Sequence, residues 1–159
     1  MANIIKLDYS DDYNIDLVKK SLIGLRTCYP EFSHWFDKKV TPKLKCGSRK
    51  LFLATTSGEF SGAMILKSEN GEKKICTLFV SPNYRSRHIG IDFVRIASEE
   101  LETYKLPITV SDEAKDWFHK NIGFNFYTTQ SVPSMYKSDV TEHIGYIMYH
   151  NPDNVFLHV

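Results

Sequence analysis

The sequence predicts a mixed α/β fold: a mostly antiparallel central sheet of about six to seven strands, flanked by about four helices, with one parallel strand pair. Two observations carry this. Three strand-like runs are separated only by the dipeptides Ser57-Gly58 and Asn70-Gly71, which suit hairpin turns because they tolerate positive φ. The apolar period then changes at Ile89 from that of a strand to that of a helix, and another strand follows.

Each element follows from local pattern. Ile4 to Asp8 reads as a short strand, and Asp11 to Cys28 as a helix with Asp11 or Asp12 near its N-cap. Glu31 to Val40 forms a second, short helix. LFLAT from Leu51, AMILK from Ala63 and ICTLFV from Ile75 are the three runs of an antiparallel meander. From Ile89 onward, Ile89, Phe93, Ile96, Ala97 and Leu101 recur at helical spacing, while Asp92, Arg95, Glu99 and Glu102 take the other face. PITV, Pro107 to Val110, is the next strand. A helix between two strands implies a parallel crossover connection. A last helix over Asp112 to Ile122 buries Ala114, Trp117, Phe118 and Ile122, and Gly123 ends it. Strands near Phe124 to Thr128 and His143 to His150 close the sheet. Thr129 to Glu142 has no clear period and reads as a mobile loop.

Composition bounds the function. The 159 residues fit one domain over 1–159, long enough to bury a core without metals or disulfides. A net charge of +1 gives no global drive toward nucleic acid or membrane, so any positive site is a local cluster. Cys28, Cys46 and Cys76 are odd in number and match no metal-ligand spacing; they read as reduced, buried structural thiols. With no signal-like N-terminus and no run of about 18 apolar residues, a cytoplasmic protein without a membrane span is expected.

One stretch concentrates chemistry. Arg85 to Gly90 packs two arginines, a histidine and a glycine into six positions between the end of a strand and the start of a helix. Backbone N–H groups at a helix N-terminus and its dipole favour phosphate, Gly90 allows close backbone approach, and Arg85 and Arg87 add charge-assisted hydrogen bonds. A solvated loop with two surface arginines fits the stretch equally well when it is taken alone.

FVSPNYRSRHIG, the amphipathic helix after it and PITVSDEAKDWFHKNIGF together resemble the GNAT acetyltransferase superfamily. In that family a loop of Arg or Gln, two residues, Gly, one residue, Gly or Ala binds the acetyl-CoA pyrophosphate. Arg85 matches the first position and Gly90 the last, while His88 departs from the first glycine. Phe118, Gly123 and Phe124 match the pattern downstream; His119 stands where a tyrosine is usual, and Asp112 where many members carry asparagine near the thioester. The resemblance covers the topology of almost the whole chain, with its specific motifs between Leu78 and Phe124.

It implies an N-acetyltransferase with acetyl-CoA as co-substrate and no metal. The parallel pair would flank the CoA loop, with Leu78, Phe79 and Val80 offering backbone groups to the pantetheine and the oxyanion. Arg85, Ser86, Arg87, His88, Ile89, Gly90 and Ile91 would hold the pyrophosphate, and Asp112 would lie near the thioester. His119 is the candidate acid for the leaving thiolate, with Tyr127, Tyr136 and Tyr146 as alternatives. An ordinary helix histidine is the plainer reading of His119. Cys76 reads as structural, since no histidine can be placed beside it.

The acceptor side is less defined. In this fold Tyr29, Glu31, His34, Trp35, Asp37 and the loop around Tyr136 border the acceptor cleft, although Trp35 and Phe36 also fit a core role. Lys38, Lys39, Lys43, Lys45, Arg49 and Lys50 form the most basic stretch, a solvated face or a surface for an RNA-bearing acceptor. A protein amine, a small amine and an aminoacyl-tRNA all remain open as acceptor, and so does the oligomeric state. The departures His88, Asp112 and His119 also admit a catalytically idle GNAT-fold module that binds acyl-CoA or a partner protein.

Overall fold

The computed structural model describes residues 2–22, 31–85, 88–131 and 141–149. Within them lie β1 (Asn3–Lys6), α1 (Asp12–Ser21), α2 (Phe32–Trp35, continued by a π turn over Phe36–Val40), β2 (Arg49–Thr56), β3 (Glu59–Glu69) and β4 (Glu72–Val80). Then come α3 (Ile89–Leu101), β5 (Lys105–Ser111), α4 (Asp112–Trp117, continued by a π turn over Phe118–Ile122), β6 (Asn125–Ser131) and β7 (Thr141–Met148). The strands form one sheet in the order β1-β2-β3-β4-β5-β7-β6. Among the described strands only β4 and β5 run parallel.

The meander has the expected cause. Ser57 and Gly58, and again Asn70 and Gly71, have φ of 52°, 81°, 53° and 80°, the two positive values of a type I′ turn. β2 and β3 are buried on both faces, so their apolar runs are continuous. Alternation still sorts the side chains. Leu51, Leu53, Ala63 and Ile65 pack with Val18, Leu22, Phe32, Phe36 and Val40 under α1 and α2. Phe52, Met64, Leu66, Ile75, Leu78 and Val80 pack on the opposite side with Phe93, Ala97, Leu106, Ile108, Phe118 and Phe124, under α3 and α4. Burying each large apolar side chain contributes about 1.5–3 kcal/mol, so two such clusters fix the sheet between two helix layers.

Several expectations change. The first helix ends at Ser21, so the predicted continuation toward Cys28 lies outside the described residues from position 23 on. Asp11 is its N-cap. The loop expected over Thr129 to Glu142 is shorter, because Thr129–Ser131 and Thr141–Glu142 pair as strand, Gln130 opposite Glu142. The rest of that segment, and His150, lie outside the described residues. Cys46 is exposed rather than buried, because it stands in the turn before β2, with its Sγ 3.2 Å from Ser48 Oγ. Cys76 is partly buried against the α1–α2 cluster, and burial pushes its thiol up, as suits an unreactive cysteine. Among the described residues no helix is long and apolar enough to cross a membrane.

Candidate functional site

The sheet opens at its one parallel pair. β4 and β5 share a single registered position, Ile75 opposite Ile108, whereas β5 and β7 are in register from Lys105 to Ser111. Toward Val80, β4 therefore has a neighbouring strand on one side only among the described residues. Ser81 N–H donates to the Ser61 carbonyl at 2.9 Å, and the register between β3 and β4 is regular from Gly62–Val80 to Ile65–Thr77. Antiparallel pairing alternates, so Phe79 and Thr77 direct their backbone groups to β3, and Leu78 and Val80 direct theirs into the gap beside β5. Of the three residues expected to serve here, Phe79 places its N–H and C=O in the ladder with β3, and its ring stacks on Phe60.

The loop after β4 leads along this gap. Pro82–Tyr84 is one 3-10 turn, and the Tyr84 hydroxyl donates to Glu59 Oε2 at 2.8 Å, which ties the loop to the β2–β3 hairpin. Arg85 Nε donates to the Val80 carbonyl at 2.9 Å, and its guanidinium lies 5.4 Å from the centre of the Trp117 ring. Ser86 and Arg87 lie outside the described residues. His88 takes φ +60° and stands as N-cap of α3 with no side-chain cap bond. The first helical bond is Asp92 N–H to the His88 carbonyl, so the N–H groups of Ile89, Gly90 and Ile91 have no helical acceptor. Ile89 buries its side chain in the core and Ile91 exposes its own.

A groove of ≈ 180 Å³ runs between this helix start and the last helix, lined by Arg85, His88, Gly90, Ile91, Trp117, Asn121 and Ile122. A Cβ on Gly90 would stand 3.0 Å from Ile122 Cδ1. The missing side chain of Gly90 therefore lets α3 approach the last helix, rather than only admitting a ligand as its sequence position suggested. Trp117 and Asn121, one helical turn apart, line the groove together. From its apolar spacing Trp117 is expected only in the core, and no local pattern marks Asn121.

Asp112 opens α4 with an exposed carboxylate that accepts from His143 Nε2 at 2.6 Å. His143 is buried beside Phe126, and its Nδ1 is enclosed without a hydrogen-bond partner. This pair spans 31 positions of sequence, and no local pattern signals it.

His119 stands apart from the groove lining. Its Nδ1 is 2.7 Å from the Phe124 carbonyl, which can only accept, so Nδ1 carries hydrogen and the ring braces the turn at Gly123. An acid role would require a second proton on Nε2. Tyr127 is exposed, 6.0 Å from the Tyr146 ring, and Tyr136 lies outside the described residues.

On the α1–α2 side, Glu31, His34 and Asp37 are exposed, and Asp37 pairs with Lys19 at 2.9 Å. Phe36 is fully buried, and Trp35 packs 5.7 Å from Phe32, a core placement. Tyr29 lies outside the described residues. In the basic stretch Lys38, Lys39 and Lys45 are exposed, Lys50 pairs with Glu100 of α3, Lys43 pairs with Glu69 on the opposite face, and Arg49 is buried. Among the described residues no group of three or more His, Cys, Asp or Glu side chains could hold a metal ion.

A family model for the acetyltransferase (GNAT) domain matches residues 16–133. No curated protein sequence matches. Among solved structures, a probable acetyltransferase from Staphylococcus epidermidis aligns with a TM-score of 0.65 at 19% identity, over 93% of this chain and 99% of that one. The PaiA N-acetyltransferase of Thermoplasma acidophilum, in complex with coenzyme A, aligns at 0.63 and 16%, over 94% and 99%. A GNAT family acetyltransferase from Elizabethkingia anophelis with acetyl-CoA bound aligns at 0.61 and 14%, over 92% and 97%. Likeness at these identities is likeness of fold.

Proposed function

The chain belongs to the GNAT acetyltransferase family, and we propose that it transfers the acetyl group of acetyl-CoA directly to an amine. The observation that carries this reading is the gap beside β4, where Leu78 and Val80 turn backbone groups away from β3, the Val80 carbonyl held by Arg85, next to the uncapped start of α3. The N–H groups of Ile89, Gly90 and Ile91, with Arg85, hold the pyrophosphate. The pantetheine amides pair with Leu78 and Val80 as a short added strand. Arg85 releases the Val80 carbonyl as that strand enters, and Trp117 keeps its guanidinium at the groove.

A backbone N–H in the gap then polarises the acetyl carbonyl and stabilises the oxyanion. The amine nitrogen bonds to the acetyl carbon, the carbon–sulfur bond breaks, and the proton leaves the nitrogen. A free lysine amine, with a pKa of about 10.4, is neutral only to the order of 0.1% at pH 7, so deprotonation through a side chain or water chain matters. The thiol product has a pKa near 8.5, so the thiolate leaves tolerably without a dedicated acid. His119, engaged by Phe124, is needed only as a brace under this reading.

Incubation with acetyl-CoA and a thiol reagent, with and without a panel of amines and peptides, tests the reading. Acceptor-dependent thiol release is the expected result. Binding of acetyl-CoA without turnover across a wide panel would instead favour an idle module.

A further inference from the structure

Arg49 is 7% exposed, yet its Nε and Nη1 are enclosed with no hydrogen-bond partner, and among the described residues it joins no ion pair within 4 Å. A buried guanidinium in this state is costly, and an orphaned buried group of this kind marks the place of an ion or polar ligand. Its cross-strand neighbours are cations. Strand register sets Arg49 opposite Lys67, and Lys67 opposite Lys74, so three cations occupy adjacent strands on the α1–α2 face of the sheet. Strands about 4.8 Å apart confine them to a band about 10 Å wide. The nearby carboxylates are already engaged: Glu69 takes Lys43 at 2.9 Å, and Glu72 takes Lys67 at 3.2 Å. Arg49 acts on the Glu69 carboxylate only at longer range than Lys43 does, and Lys74 joins no ion pair among the described residues.

We propose that Arg49, with Lys67 and Lys74, forms a second oxyanion site, for a doubly charged phosphate group. Two negative charges match the net charge of the cluster, in which Lys43, Arg49, Lys67 and Lys74 face Glu69 and Glu72, and phosphate oxygens would give the guanidinium the acceptors it lacks. The 7% of Arg49 that stays exposed supplies the point of approach. The site is separate from the groove at α3: it lies on the other face of the sheet, and Lys74 is four to six strand positions from Leu78 and Val80, about 13–20 Å.

The test is the thermal midpoint of the full chain at constant ionic strength, with CoA in excess to fill the groove at α3. Inorganic phosphate or O-phosphoserine is added against a chloride control. Either ligand should raise Tm by about 3 °C or more at saturation, and a larger response to O-phosphoserine would assign the group to a phosphorylated ligand rather than free phosphate. Arg49→Met should melt above the parent protein without phosphate and lose the response. Lys74→Glu, at a strand surface, should halve the response at least. An unchanged response in Arg49→Met, or none in the parent protein beyond chloride, would overturn the site. If Arg49→Met does not fold, an undiminished response in Lys74→Glu overturns it.

Discussion

The starts of α1 and α3 solve one problem in opposite ways. Both helices leave their first N–H groups without helical acceptors. At α1 the chain supplies its own anion: the Asp11 carboxylate accepts from the Asn14 N–H at 3.3 Å and from the Asn14 side-chain amide at 2.8 Å. At α3 the cap position is His88, whose side chain makes no cap bond and whose backbone takes the left-handed conformation. One terminus is closed by the protein, and the other is left open beside a groove with Arg85 at its edge. The contrast teaches that a site can be located by where the fold declines to satisfy its own backbone.

Altering each terminus separately sharpens the contrast. Arg85→Glu should have the largest effect, weakening CoA binding about tenfold to a hundredfold, because it removes a charge-assisted donor and adds repulsion. Position 85 is exposed, so the fold should survive, and calorimetry with the exposed control Lys73→Glu checks the specificity. His88→Asp comes next. It gives α3 the kind of cap that α1 already has, and should weaken CoA binding about threefold to tenfold while raising thermal stability slightly. The smallest effect belongs to Asp11→Ala. It should cost about 1 kcal/mol in denaturant unfolding and leave CoA affinity unchanged, since the α1 terminus serves the fold alone.

Much of the fold was legible because its causes are local. Asn70-Gly71 declares its turn within two residues, and the stripe from Ile89 to Leu101 declares its helix within four turns. The loop at Arg85 to Gly90 was legible for the same reason. What stayed hidden depends on pairing between distant segments. Leu78 and Val80 face the gap and Phe79 does not, which follows from the register with β3 and not from any property of these residues. The partner of Asp112 is set by the ladder that brings His143 opposite Val110. Arg49 looked like one of six neighbouring cations until strand alternation turned it inward, away from Lys50.

The central claim is that the open start of α3 and the unpaired edge of β4 together bind acetyl-CoA. The most direct measurement follows backbone amide resonances during titration of the full chain with CoA. Large shifts are expected at Leu78, Val80, Ile89, Gly90 and Ile91, and none at Asp12 to Asn14 behind the Asp11 cap. Saturable binding that leaves those five amides in place and moves others would contradict it.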